Sequence, residues 1–248
     1  MKISIVTAVY NRVATIRETI ESVAAQSYHS IEHIVQDGCS TDGTLDAIQI
    51  TANHRVNLVS EPDSGIYDGI NRGIKRANGD VIGLMHSDDL FAHEGVLMMI
   101  ADALSDLRID GVYGDLQYVA ADNPMHVVRH WQAGKYQPIK LKRGWMPPHP
   151  TLYLRREIFD QWGLYDTSYQ IAADYDAMLR YLVKGQIKLA YIPEVLVKMR
   201  VGGESNRSLG RVLLKSREDL QAVRQNSVGG MVTVAYKNLS KLPQFFKR

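Results

Sequence analysis

The chain has 248 residues, 45% of them hydrophobic and 23% charged, with a net charge of +2 at pH 7. That length suits one large α/β core, or a core with an appendage, and the composition excludes the disordered and membrane-embedded classes. Cys39 is the single cysteine, so an internal disulfide or a multi-cysteine zinc site is ruled out, and its thiol is read as structural or incidental rather than a nucleophile. No apolar run approaches the ~18 residues of a spanning helix, and Met1 leads into a core strand without a signal-peptide layout, so a cytoplasmic location is expected. The charge is uneven. From Ser205 onward nine Lys or Arg residues face only Glu218 and Asp219, giving that end +7 and the remainder −5. The two parts should meet different partners, with no nucleic acid among them.

Residues 2–7 read as a buried strand, and Val13, Ile16, Ile20 and Val23 follow at helical spacing. Thr15 and Glu18 fit a capping box for that helix, with Asn11 as an alternative start. Residues 31–36 form a second strand. The turn over 37–44 is rich in glycine and side-chain oxygens and precedes a helix over 45–52. A third strand over 56–60, a third helix marked by Ile66, Ile70 and Ile74, and a fourth strand over 81–85 complete an alternation that implies a mostly parallel sheet. Ligands of such sheets bind at the carboxyl ends of the strands. Segments 7–11, 37–44 and 86–89 all follow strands and should meet on one rim. Asp88 and Asp89 are hard oxygen donors suited to a divalent cation; either would equally cap a helix starting near Glu94.

Beyond residue 110 the alternation ends. Residues 111–131 are β-like around a turn at Asp122-Asn123-Pro124, and 140–150 is basic and Pro-rich, with 147–150 extended or turning. His149 there is either a site residue or a surface histidine. A short strand over 151–154 and a short helix over 155–162, stopped by Gly163, lead to a helix opening near Ala173. It carries Asp174 and Asp176, which their two-residue spacing sends to different faces. On spacing alone both are first-turn acids favoured by the helix dipole.

Together these residues resemble the family 2 glycosyltransferases of the GT-A fold, through Thr7-Ala8-Val9-Tyr10-Asn11, the 37–44 turn, Ser87-Asp88-Asp89, and Ala173-Asp174 opening a helix that contains Arg180. Residues 61–73 also resemble bacterial polysaccharide-assembly members. The resemblance covers residues 1–205 and implies an α/β fold, a mostly parallel central sheet flanked by helices. In it residues 1–110 bind a nucleotide-diphosphate sugar, 111–205 bind the acceptor, and 206–248 form a basic helical extension. It implies that Thr7, Tyr10 and Asp37 hold the nucleotide base, with Arg72 near the base or diphosphate. It further implies that Asp89 ligates Mg²⁺ or Mn²⁺ while Asp88 faces the sugar or ribose. The metal would offset charge on the departing diphosphate as a Lewis acid.

Asp174 matches the family's general base, with Asp176 as fallback and Ala173 where the family carries Glu. His149 and Asp68 are candidate donor or acceptor contacts. The implied reaction is metal-dependent, inverting transfer, from a UDP-sugar to a hydroxyl of a glycan or lipid-linked acceptor in bacterial surface polysaccharide synthesis. The Gln-Xaa-Xaa-Arg-Trp element of processive synthases is absent, so one sugar per encounter is expected, and no metal-binding His occurs in 201–205. One alternative is a sugar nucleotidyltransferase, although the Gly-rich basic loop expected of it after the first strand is missing. Another is a sugar-nucleotide-binding protein without catalysis. In the extension, Leu209, Val212, Leu213, Leu220 and Val223 mark a helix bearing Arg207, Arg211 and Lys215. Residues 237–248 then combine four bases with Phe245 and Phe246, which suits either peripheral attachment to an anionic membrane or a solvated tail.

Overall fold

A computed structural model of the chain describes residues 1–52, 56–202 and 209–239. The first half runs β1 (Ile3–Val9), α1 (Ile16–Ala24), β2 (Ile31–Asp37), α2 (Thr44–Ala52), β3 (Val56–Ser60), α3 (Ile66–Arg76) and β4 (Val81–Leu84). The strands pair in parallel as β3-β2-β1-β4, and the register sets Val9 beside Asp37 and Asp37 beside Ser60. Their carboxyl ends therefore share one rim. Both faces are covered, as a parallel sheet requires. Ile70 and Ile74 of α3 pack with Val6, Ile34 and Ile82, while Ile16 and Ile20 of α1 meet Val35 and Ile48 on the other side. Gly73 lets α3 approach β1 closely, since a Cβ there would collide with Val6.

The second half contributes β5 (Leu90–Phe91), α4 (Val96–Ala103), β6 (Gly111–Val119), β7 (Val127–Trp131), α5 (Pro138–Leu141), a 3-10 turn at His149–Thr151, β8 (Tyr153–Arg155), α6 (Arg156–Trp162), α7 (Ala173–Leu179), a π-helical turn at Arg180–Lys184, and β9 (Leu189–Arg200). Its strands extend the same sheet, so that the order becomes β3-β2-β1-β4-β8-β6-β9-β5, with β7 paired to β6. β8 is antiparallel to β4 and β6, whereas β6 and β9 are parallel. One continuous sheet thus joins residues 1–110 to residues 111–202.

Helices α8 (Leu209–Gln225) and α9 (Met231–Leu239) pack on α7, with Ala222, Val223, Val228 and Val234 in the same core as Ala173 and Tyr175. Residues 203–208, with Arg207, and 240–248, with Phe245 and Phe246, lie outside the described residues.

Two local expectations are corrected. The capping box at α1 does not form, because the Thr15 hydroxyl donates to the Ser87 carbonyl and Glu18 pairs with Arg200. Neither Asp88 nor Asp89 caps a helix: α4 starts at Val96 behind Gly95, with no side-chain cap. The Pro-rich run 147–150 does turn, with Pro150 in the 3-10 turn, and Pro138 opens α5.

Candidate active site

The loop after β4 is held by its own backbone. Thr15 Oγ1 donates to the Ser87 carbonyl at 3.0 Å, Arg200 Nη1 to the Asp88 carbonyl at 2.8 Å, and Thr19 Oγ1 to the Asp89 carbonyl at 3.0 Å. Three consecutive carbonyls are thereby fixed by α1 and the end of β9. The two acids face different ways. Asp88 is partly exposed and lines a cavity of about 530 Å³, together with His86 and Ser87. Asp89 is 1% exposed and lines no part of it. Its Oδ1 accepts the Arg200 N–H at 3.3 Å, its Oδ2 has no partner, and burial, reinforced by the Asp88 charge, pushes its carboxyl well above the usual range. Of the two neighbours, Asp88 and not Asp89 lines the cavity.

Asp174 reaches the same cavity from the first turn of α7. Its Oδ1 accepts the Tyr175 N–H at 2.8 Å and lies 3.4 Å from the Tyr67 hydroxyl, while Oδ2 is 4.0 Å from His149 Nδ1. His149 is no surface histidine. It is buried, with Nε2 2.9 Å from the Tyr165 hydroxyl, and burial pulls it down to about 4, so it is neutral at pH 7. His86 stands 5.9 Å from it, ring to ring, and is also lowered by burial, against the opposing charges of Asp88 and Asp174. His86 lines the cavity with both carboxylates. Sequence reading gave His86 no role, although its position at a strand end was the available signal.

Asp176 does not serve the cavity. It accepts Asn226 Nδ2 at 2.8 Å and pairs with Arg180 at 3.5 Å, tying α7 to α8. Ala173 is fully buried in the core. Thr7 is likewise buried inside the sheet, 3.0 Å from His33 Nε2, and does not reach the cavity. Asp37 is buried too; its carboxylate accepts the Ser40 N–H and the Ser40 and Ser60 hydroxyls, which fold the 37–44 turn. Arg72 is held outside the cavity by Glu61 and Asp68, each at 3.0 Å. Asp68 is anchored by the Ser64 N–H and Arg72, which hold its carboxyl below the usual range. It and the exposed Tyr10 line an adjoining compartment of about 670 Å³ that shares Ala8, Tyr67 and Ser87 with the first. Arg12 and Arg211 line both compartments and Arg200 the first, so the cleft presents positive charge beside Asp88.

The sequence profile of glycosyl transferase family 2 matches residues 4–163. The chain belongs to that family. The glycosyltransferase is 31% identical over 188 residues to an uncharacterized glycosyltransferase of Mycobacterium tuberculosis, covering 72% of this chain and 68% of the relative. It is 28% identical over 217 residues to a PGL/p-HBAD biosynthesis glycosyltransferase of Mycobacterium bovis, covering 86% and 82%. Among solved structures, Staphylococcus aureus TarS 1–349 in complex with UDP-GlcNAc superposes with a TM-score of 0.70 at 18% identity, over 92% of this chain and 66% of that one. The chain spans 39% of a longer TarS chain. The mannosyltransferase PcManGT of Pyrobaculum calidifontis, in complex with GDP-Man and Mn²⁺, superposes with a TM-score of 0.69 at 17% identity, over 99% and 73%. These likenesses show the GT-A fold, and family membership sets aside the nucleotidyltransferase alternative.

Proposed function

We propose that this glycosyltransferase transfers one sugar, with inversion, from a nucleotide-diphosphate donor to a hydroxyl of a glycan or lipid-linked acceptor at the bacterial surface. The observation that carries it is that Asp88 and Asp174, far apart in sequence, line one cavity together with His86. The nucleotide lies toward Tyr10 and Asp68, and the diphosphate toward Arg12, Arg200 and Arg211, whose charges oppose its own. UDP-sugars are the first donors to test, because one structural neighbour is in complex with UDP-GlcNAc; GDP-Man, held by another, is the second. The surface role follows the PGL/p-HBAD biosynthesis relatives.

Mg²⁺ or Mn²⁺ bound with a diphosphate needs only one or two protein carboxylates, and the exposed carboxylate of Asp88 meets that requirement. The described residues contain no cluster of three or more metal-ligating side chains, so the diphosphate would complete the ligand set. The metal supplies Lewis-acid stabilisation of the leaving diphosphate. Asp174 accepts the acceptor hydroxyl's proton as that oxygen bonds to the anomeric carbon. The bond from that carbon to the diphosphate oxygen breaks, its electrons stay with the diphosphate, and the anomeric centre inverts. The Tyr175 N–H, which donates to Oδ1 at 2.8 Å, holds the Asp174 carboxylate in place.

Incubation with UDP- and GDP-sugars, Mn²⁺ and a glycan panel tests this reading, with NMR assignment of the product anomer. Product of retained configuration, or transfer unaffected by Asp174→Asn, would refute it.

An anionic membrane is the proposed working surface. Among the described residues no helix is long and apolar enough to cross a bilayer, but α9 turns Met231, Val232, Tyr236 and Leu239 to solvent. Gly144 packs on Lys237 of α9, which brings the exposed Lys142 and Arg143 beside that apolar stripe. Residues 123–156 and 220–248 contain no acid. Apolar side chains framed by bases support interfacial attachment.

A further inference from the structure

Away from the donor cleft, α5, the π-helical turn, the start of β9 and the link between α8 and α9 enclose an apolar groove of about 590 Å³. Small-molecule sites hold roughly 300–1,000 Å³, so a guest has room. Leu141, Leu182, Ile187 and Val228 give the groove a buried apolar lining, and Val183 and Leu189 line it half-buried. Lys142 and Lys188, both exposed, also line it. Leu189 opens β9, and Arg200, a residue of the donor cleft, closes it. At about 3.3 Å per residue the two ends stand roughly 30–35 Å apart, so a guest in the groove does not reach the reacting carbon.

The charge around the groove has one sign. Its lining residues fall within 123–156, 177–193 and 220–248, and none of these three stretches contains an acid. Arg143 and Lys184 flank the lining residues in the chain. Asp110 does come close, but its Oδ2 accepts the Lys188 N–H at 2.7 Å. A purely apolar guest would leave the ammonium groups unanswered, and a free anion would leave the apolar lining unfilled. A chain with a phosphate at one end matches both. The neighbouring apolar residues point outward: Ile139, between the lining Pro138 and Leu141, is 59% exposed, and Met231 and Val232, just beyond Val228, are 71% and 69% exposed. Such side chains suit the interfacial zone of a bilayer.

We propose that this groove takes one acyl chain of an anionic phospholipid, with the lipid phosphate held by Lys142 and Lys188. The proposal deepens the membrane reading and rests on it. The basic, apolar face of α9 and the loop before it attracts the enzyme to the surface, and the groove then holds a single lipid in one-to-one fashion. Being remote from the donor cleft, that lipid is an anchor and not an acceptor.

Calorimetry on the full-length protein tests it, with short-chain phosphatidylglycerols kept below their micellar concentration so that single molecules are titrated. Dihexanoyl phosphatidylglycerol should bind at one site. The dibutanoyl form, two methylenes shorter on the buried chain, should bind about fifteenfold more weakly, at about fourfold per methylene, and glycerol 3-phosphate should not bind. Exchange for dihexanoyl phosphatidylcholine, or the double substitution Lys142→Glu/Lys188→Glu, should each cost about tenfold or more. Val183→Trp fills the groove without changing its charge and should abolish binding, with melting temperature and UDP affinity retained. Equal affinity for the two chain lengths refutes the groove without recourse to any variant. So does a dimer in sedimentation velocity that Val183→Trp dissolves, because a second copy would then be the occupant. Vesicles of phosphatidylglycerol separate the two readings: if they retain the wild-type protein while the dihexanoyl lipid fails to bind, the groove falls and the membrane reading stands. If neither binds, both fall.

Discussion

Asp88 and Asp89 are chemically identical neighbours with opposite environments, and substitution separates them. Asp88→Ala should lower metal-dependent transfer by about a hundredfold or more, as loss of a group that stabilises leaving-group charge does. Asp89→Asn keeps the shape and the acceptor for the Arg200 N–H, so it should leave the rate within about tenfold. Initial rates at saturating donor and Mn²⁺ decide between them; equal losses would restore Asp89 as a ligand. Asp174→Asn should cost about 10²–10⁴-fold in kcat, the range of general-base catalysis, with donor affinity retained. The strand-helix alternation placed Asp88 and Asp89 at the rim but could not orient them, and only the family resemblance drew Asp174 to the same site. Consecutive residues leaving a strand differ only in which carbonyls and side chains hold them, and the holders, Thr15, Thr19 and Arg200, lie 70 to 112 residues away. Arg72 stays out of the first cavity for a related reason: its i,i+4 partner Asp68 and the nearby Glu61 hold it.

At the level of elements, α7 has no side-chain cap of its own, and a neighbouring helix supplies one. The buried carboxylate of Glu218, on α8, accepts the N–H groups of Gln170, Ile171 and Ala172 at 2.9, 2.8 and 2.9 Å. This negative charge lies where a helix N-terminus favours one. Glu218→Ala would leave three donors without their acceptor, of which only the Ala172 N–H is buried and unable to turn to water, at about 1–3 kcal/mol. The expected result is a loss of roughly 1–3 kcal/mol by urea denaturation, with a lower kcat because Asp174 sits on the loosened turn; Glu218→Gln should recover part of both. The alternation from β1 to β4 was legible because it is periodic and local. The partnership of α7 with α8 was not, since Glu218 and Ala172 are 46 residues apart. Helix α9 escaped notice because its pattern is inverted, with Thr233, Val234 and Lys237 inward and its larger apolar residues outward.

For the molecule as a whole, pH and surface chemistry set the limits. His33 and His149 are both buried, and burial lowers each to about 4. An unfolded histidine takes up its proton as pH falls through ~6.5, the folded ones only near 4, so the unfolded state binds protons first and stability declines across that window. Each histidine should cost about 2 kcal/mol at pH 5 relative to pH 7.5. Denaturation curves at the two pH values check this, and His33→Gln should remove its share of the difference. Attachment to vesicles containing anionic lipid should weaken with salt and on Lys142→Glu/Arg143→Glu, each base contributing about 1 kcal/mol. Co-sedimentation that is indifferent to both would overturn the membrane reading.

Thr15 shows how stability and turnover compete within the same fold. Its hydroxyl is diverted from the start of α1 to the loop that carries Asp88. A helix without its cap forgoes about 1 kcal/mol, and the loop gains a fixed carbonyl in return. Selection for thermal resistance alone would therefore favour Thr15→Asp, which caps α1 and repels the Ser87 carbonyl. Such a variant should melt at a higher temperature and turn over more slowly, marking position 15 as one where a library screened only for heat tolerance would discard activity.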